Sequence, residues 1–137
     1  LLILCVVGMQ VPVLAGENRP ILDETLEHRL LEPERRQVLE HLLQNYDGTP
    51  IIVDSLKLAP LVYDSGLPLR SFICNEGNKS LWRKAMQAPE HEAGWIITLQ
   101  GDEVQDRLHV DPHWADEYAL VSRTESLALY HSKSRDR

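Results

Sequence analysis

The sequence predicts an α/β fold, a three-layer sandwich of about five strands with a mostly parallel sheet and a C-terminal antiparallel hairpin. Short apolar runs alternate with amphipathic helical patterns, the order expected of parallel strands covered by helices. Two final apolar segments, 118–122 and 127–131, are separated by only four residues, which predicts the hairpin. With 137 residues, of which 43% are hydrophobic, the chain is long enough for one domain with its own core.

The first half of this domain predicts two helices and two strands. Segment 34–46 is helical, because its apolar residues fall on one stripe: Val38, Leu39, Leu42, Leu43 and Tyr46. The run 51–53 is continuously β-branched, as in a strand covered on both faces. Asp54 and Ser55 then supply an N-cap for a helix over 56–64, which Pro60 shortens. Segment 69–74 is the second predicted strand.

The second half predicts another helix and a third strand before the hairpin. The helix covers 79–87 and ends at Pro89, with inward side chains Leu81, Trp82, Ala85 and Met86. The strand covers 95–99, and its Trp95 is a core residue, as is Trp82. The polar segment 104–117 is interpreted as a loop or short helix, in which Trp114 is an exposed aromatic residue.

The first sixteen residues contain no charged side chain, whereas every charged residue follows them. As a helix they would span about 24 Å, short of the roughly 30 Å hydrocarbon core, so one interpretation is the end of a transmembrane helix. A truncated signal peptide is the second, because Val13 and Ala15 are small residues at cleavage-site spacing. A buried core element is the third, although Gly8, Gln10 and Pro12 interrupt it. The first two interpretations place the following chain outside a membrane.

The domain organisation follows from this segregation. Residues 1–16 are the apolar segment, 17–33 a helical connector with a helix near 21–31, 34–131 the soluble α/β domain and 132–137 a frayed basic tail. The net charge of −7 argues against a nucleic-acid partner. Because no glycine-rich phosphate loop and no G-x-S-x-G turn occurs, we expect neither a nucleotide cofactor nor a hydrolase nucleophile.

Polar residues follow each of the three predicted parallel strands. Asp54 and Ser55 follow the first, Asn75 and Glu76 the second, and Asp102 the third. Ligands of open α/β sheets bind at these carboxyl ends, and paired carboxylates can bind a cation or perform acid–base chemistry. The alternative is that the same residues are helix caps and turn residues, which these positions need whatever the function.

His109, Asp111 and His113 form the cluster most typical of a metal site. Their spacing matches no common zinc pattern, so the alternative is a solvated connector. A small metal-dependent hydrolase would combine the two histidines with Asp54 and Asp102. Trp114 is a further candidate for contact with a sugar or lipid.

Three segments resemble a known family: IIVDSLKLAPLVYDSGLPLRSFICNEGN, SLWRKAMQAPEHEAGWIITLQGD and EYALVSRTESLALY. They are similar to the C-terminal soluble domain of bacterial membrane glycosyltransferases related to protein mannosyltransferases, over roughly residues 34–131. Members of that family use a polyprenyl-phosphate-linked sugar and carry a small extracytoplasmic α/β domain after many transmembrane helices.

The resemblance implies a non-catalytic domain on the extracytoplasmic side of the cell membrane. The family's catalytic acidic residue and donor site belong to its membrane part, so no catalytic residue is assigned to this chain. The implied partners are the membrane, through residues 1–16, and a lipid-linked sugar or its acceptor, through the parent enzyme. The alternative function is a free secreted or periplasmic α/β binding protein behind a signal peptide.

Overall fold

The structure is a computed structural model, and it describes residues 29–135. The predictions made for residues 1–16, for most of the connector 17–33 and for the last two residues of the tail lie outside the described residues. From Glu34 onward, the described chain forms one compact unit.

Helices and strands alternate along this unit. The helices are α1 (Glu32–Asn45), α2 (Ser55–Asp64), α3 (Lys79–Gln87), α4 (Pro89–Glu92), α5 (Glu103–Val110) and α6 (Pro112–Glu117). The strands are β1 (Ile51–Val53), β2 (Phe72–Cys74), β3 (Trp95–Leu99), β4 (Tyr118–Arg123) and β5 (Leu127–Ser132). The α/β class and the terminal hairpin are therefore confirmed.

The five strands form one sheet in the order β2-β1-β3-β5-β4. Strand β1 pairs in parallel with both β2 and β3, whereas β5 pairs antiparallel with β3 and with β4. The sheet is therefore mixed, and the expected mostly parallel sheet is corrected. The reason is that the hairpin joins the sheet through β5, which adds an antiparallel pairing to β3 as well as the pairing within the hairpin.

Two hydrophobic clusters follow the alternation of side chains along the strands. The first contains residues of α1 and α2 together with the strand residues Ile51, Val53, Phe72, Trp95, Ile97, Leu127 and Leu129. The second contains residues of α3, α5 and α6 together with Ile52, Ile73, Ile96, Tyr118, Ala128 and Tyr130. The continuous apolar runs of β1 and β3 are explained by this division, because neighbouring residues enter different clusters.

Some local predictions were wrong at turns. The second strand begins only at Phe72, because Leu69–Ser71 form a 3-10 turn after Pro68. Pro89 does not simply end a helix, since it begins α4 at the position where a helix tolerates proline. The segment 104–117, interpreted as a loop or short helix, forms two short helices, α5 and α6. Leu43, expected on the buried stripe of α1, is 46% exposed.

Candidate functional site

The carboxyl ends of β1 and β2 bring three of the predicted polar residues together. Asn75 Nδ2 donates to Asp54 Oδ1 at 2.8 Å, and the backbone N of Leu56 donates to the same oxygen at 3.1 Å. Ser55 donates through its backbone N and its Oγ to Asn75 Oδ1, at 3.2 and 3.1 Å. We call Asp54, Ser55 and Asn75 the strand-end bridge. It joins the start of α2 to the loop after β2.

Asp102 ends the turn after β3 and is completely buried. Its Oδ2 accepts from the backbone N of Leu99 at 2.8 Å, and its Oδ1 accepts from the backbone N of Gln105 at 2.7 Å. The pKa of this carboxyl is raised above its ordinary value. Burial is the main cause and the charge of Asp54 adds to it, while the two backbone hydrogen bonds oppose the rise. Both oxygens therefore hold the junction between β3 and α5, where solvent does not reach them.

Two other residues complete this end of the sheet. The exposed Glu76 makes no hydrogen bond or ion pair within the described chain. Lys57 was not predicted as a site residue, yet its Nζ donates to the carbonyl of Gly101 at 2.8 Å. Its position in the first turn of α2 was readable from the sequence, but the distant turn that it contacts was not. Asp54 and Asp102 are thus hydrogen-bonded carboxylates within a network of caps.

The residues of the predicted metal cluster have separate surroundings. Asp111 Oδ1 accepts from the backbone N of His113 at 3.1 Å and caps α6. His113 Nε2 lies 3.2 Å from Glu90 Oε1, and this hydrogen bond raises the pKa of the histidine. His109 is exposed on α5. Across residues 29–135, no group of three histidine, cysteine or acidic side chains is placed to hold a metal ion.

Trp114 is fully buried, so its prediction as an exposed aromatic residue was wrong. It packs in the second hydrophobic cluster with Val104 and Leu108 of the preceding helix. The physical reason is that Pro112 starts a new short helix, α6, which turns the indole inward although its sequence neighbours are polar. A ligand cannot contact Trp114 without displacing core residues.

A pocket beside the hairpin was not anticipated from the sequence. It has a volume of about 240 Å³ and lies between the end of β3, the outer side of α5 and the β4–β5 turn. We call it the hairpin pocket. Its polar lining includes Thr98, Gln100, Gln105, His109, Arg123 and Glu125. Of these, only His109 carried a sequence signal, as a weak metal ligand. The others come from separate strands, helices and turns, and no local pattern connects them.

A second polar cluster lies at the amino end of β3. Trp95 Nε1 donates to Asp47 Oδ1 at 3.0 Å, and the indole ring contacts the imidazole of His131 at a centroid distance of 4.2 Å. Burial raises the pKa of Asp47, but hydrogen bonds from Thr49, Trp95 and His131 outweigh it and lower the pKa to about 2. The cluster ties the end of α1 to β3 and β5.

No protein-family model matches this chain, and no curated protein or solved structure is significantly similar to it. Within residues 29–135, no helix is long and apolar enough to cross a membrane.

Proposed function

We propose that this chain contains a non-catalytic extracytoplasmic domain of a membrane glycosyltransferase, which transfers a sugar from a polyprenyl-phosphate donor to an acceptor outside the membrane. The sequence resemblance over residues 34–131 and the apolar residues 1–16 support this proposal. In such an enzyme the catalytic carboxylate belongs to the membrane part, and the soluble domain shapes the acceptor side or stabilises the assembly.

The observation that supports the non-catalytic role is the burial and hydrogen bonding of the strand-end carboxylates. Asp102 is buried, and each of its oxygens accepts from a backbone N–H. Asp54 is also buried and accepts from Asn75 and from the start of α2. A general acid or base must reach the proton that it transfers. Both side chains are at most 5% exposed, and in Asp102 both carboxylate oxygens already accept backbone hydrogen bonds.

We also propose for this chain the three-layer arrangement that the sequence predicts, with helices on both faces of the sheet. The two hydrophobic clusters support it, since the apolar residues of α1 and α2 belong to one cluster and those of α3, α5 and α6 to the other. A domain of this kind has its own core and can fold beside a membrane part without sharing side chains with it.

The test is to identify the native protein with an antibody against the domain and to measure its size and membrane association. We expect a protein several times heavier than 15.7 kDa that stays in the membrane fraction after a salt wash. In that fraction, sugar transfer from a polyprenyl-phosphate donor should occur, and Asp54→Asn should leave the rate per folded molecule unchanged. The isolated 137-residue chain should transfer no sugar.

The opposite result would support a free binding protein. A small soluble native protein that begins near Gly16 would contradict the proposal and favour a secreted or periplasmic protein behind a signal peptide. A membrane protein of the expected size in which Asp54→Asn abolishes transfer, while the variant remains folded, would contradict the non-catalytic role alone.

A further inference from the structure

We propose that the hairpin pocket binds an anionic monosaccharide, a sugar that carries a carboxylate or a phosphate. Arg123 is the central residue of this site. The proposal rests on the pocket alone and does not depend on the proposed membrane glycosyltransferase. It can therefore fail while that function stands.

A β-bulge directs Arg123 into this pocket. Leu120 pairs with Tyr130, but Ser122 pairs with Leu129, so Val121 is an extra residue in β4. If the register of Leu120 with Tyr130 continued without the bulge, Arg123 would pair with Leu127 instead of Ala128 and would point to the opposite face of the sheet. With it, Arg123 and Thr98 both pair with Ala128 and form one row across three strands. Bulges of this kind commonly re-aim a side chain beside a binding site.

The pocket presents donors that the protein does not use. Arg123 Nη2 donates to the hydroxyl of Tyr130 at 3.3 Å, which orients the guanidinium, and its other nitrogens have no acceptor among residues 29–135. Gln105 uses only its Oε1, which accepts from the backbone N of Gly101, so its amide N–H groups remain available. In the described chain, the side chains of Thr98 and His109 also make no hydrogen bond, although Thr98 is only 1% exposed.

This excess of donors favours a ligand with an oxyanion. A guanidinium matches a carboxylate or phosphate in two parallel hydrogen bonds, and the amide and hydroxyl donors can bind the same group. One carboxylate, Glu125, also lines the pocket at the hairpin turn and can accept from a ligand hydroxyl. A second carboxylate that contacts the turn, Glu34, already accepts from Thr124 and from Ser126.

The size of the pocket favours a sugar over a bare ion. Its volume of about 240 Å³ is slightly below the range of drug-sized ligand sites, about 300–1,000 Å³. A water molecule takes up only about 30 Å³, so a single oxyanion would leave much of the pocket to solvent. A six-membered sugar ring would fill the remainder beside Ala128.

Ligand-detected NMR on the 137-residue chain tests the proposal with D-glucuronate, D-glucose 1-phosphate, D-glucose and inorganic phosphate as probes. At least one anionic sugar should bind with a dissociation constant on the order of 1 mM, since polar ligands of this size gain little affinity per atom. Whichever of the two anionic sugars binds more tightly shows whether the pocket prefers a carboxylate or a phosphate. Glucose and inorganic phosphate should each bind at least about tenfold more weakly, because glucose lacks the oxyanion and inorganic phosphate lacks the sugar ring.

Three variants locate the binding. Arg123→Gln should weaken the anionic sugar at least about tenfold, and Thr98→Val, which keeps the side-chain shape, at least about threefold. Arg70→Gln is the matched control, because it removes the same charge from an exposed residue before β2 and should change nothing. Equal weakening by Arg70→Gln, unchanged binding in Arg123→Gln, equal affinity for glucose or inorganic phosphate, or no binding by either anionic sugar would each overturn the proposal.

Discussion

The strand-end bridge with Asp102 and the hairpin pocket lie at the ends of neighbouring strands, yet their polar groups are used differently. At the strand ends, Asp54, Asn75 and Asp102 accept from one another or from backbone N–H groups. In the hairpin pocket, Arg123 and Thr98 present donors without an acceptor in the described chain. The difference shows that a polar residue in the expected place of an α/β sheet can be fully occupied by the fold.

The largest expected effect on stability is at Asp102, the buried carboxylate at the end of β3. Asp102→Ala should lower the free energy of unfolding by about 2 kcal/mol, because it leaves the backbone N–H groups of Leu99 and Gln105 without their acceptor. Urea unfolding measures the change. Asp106→Ala, on the exposed side of the same helix, is the control and should change stability by less than about 0.5 kcal/mol. Equal values for the two variants would contradict a structural role for Asp102.

The strand-end bridge should show a smaller effect. Asn75→Ala removes the acceptor of Ser55 and a donor to Asp54, and we expect a loss of about 1 kcal/mol in urea unfolding. Its neighbour Glu76 is exposed, so Glu76→Ala is expected to have almost no effect. If the bridge instead forms part of a ligand site, Asn75→Ala would leave stability unchanged and abolish binding of the probe sugars.

The stability of the domain at acid pH tests the role of Asp47, a carboxylate outside both the strand ends and the hairpin pocket. The pKa of Asp47 is about 2 in the folded protein, below its ordinary value of 3.8, so folding favours its charged form. Its contribution to stability is complete above pH 3.8 and is lost as the pH falls through about 2. The wild-type protein should therefore lose more stability than Asp47→Asn between pH 4 and pH 2, as measured by urea midpoints. Asp64→Asn is the control and should follow the wild type.

The smallest effect is expected at the surface. The hydrogen bond that His113 Nε2 donates to Glu90 Oε1 raises the pKa of His113 above its ordinary value of 6.5. Glu90→Gln removes the negative charge, so the pKa of His113 should fall toward 6.5 in an NMR titration of the imidazole protons. An unchanged pKa would show that the two side chains do not interact in solution, and it would weaken the view that acidic residues of this domain serve as hydrogen-bond partners.

The sequence predicted the repetitive parts of the fold well. The β-branched run 51–53 and the apolar run 95–99 are strands with those bounds, since residues buried on both faces leave a local signal. The share of antiparallel pairing was underestimated because which strand pairs with β5 depends on residues distant in the sequence. Trp114 was misplaced because a proline restarted a helix within a polar segment. The hairpin pocket was missed because it depends on the bulge at Val121, which shifts register without any distinctive residue.

The sequence predicted that polar residues gather at the strand ends, but not that they hydrogen-bond to one another and to the backbone. Asp54 was recognisable as a cap because it precedes a predicted helix, whereas Asp102 was interpreted as a turn residue. These structural roles were weighed as the alternative to catalysis. Whether Asn75 would bond to Asp54 or remain open to a ligand depends on a distance between loops that lie about twenty residues apart. A local sequence pattern gives no information about the distance between these two loops.

The most direct test is to map which backbone amides change chemical shift when D-glucuronate or D-glucose 1-phosphate is added to the 137-residue chain. We predict changes at Gln100, Gln105 and residues 123–128 of the hairpin, with those of Asp54, Ser55 and Asn75 unchanged. Changes confined to the strand-end bridge and Asp102 would contradict it. They would return the ligand site to the carboxyl ends of the parallel strands.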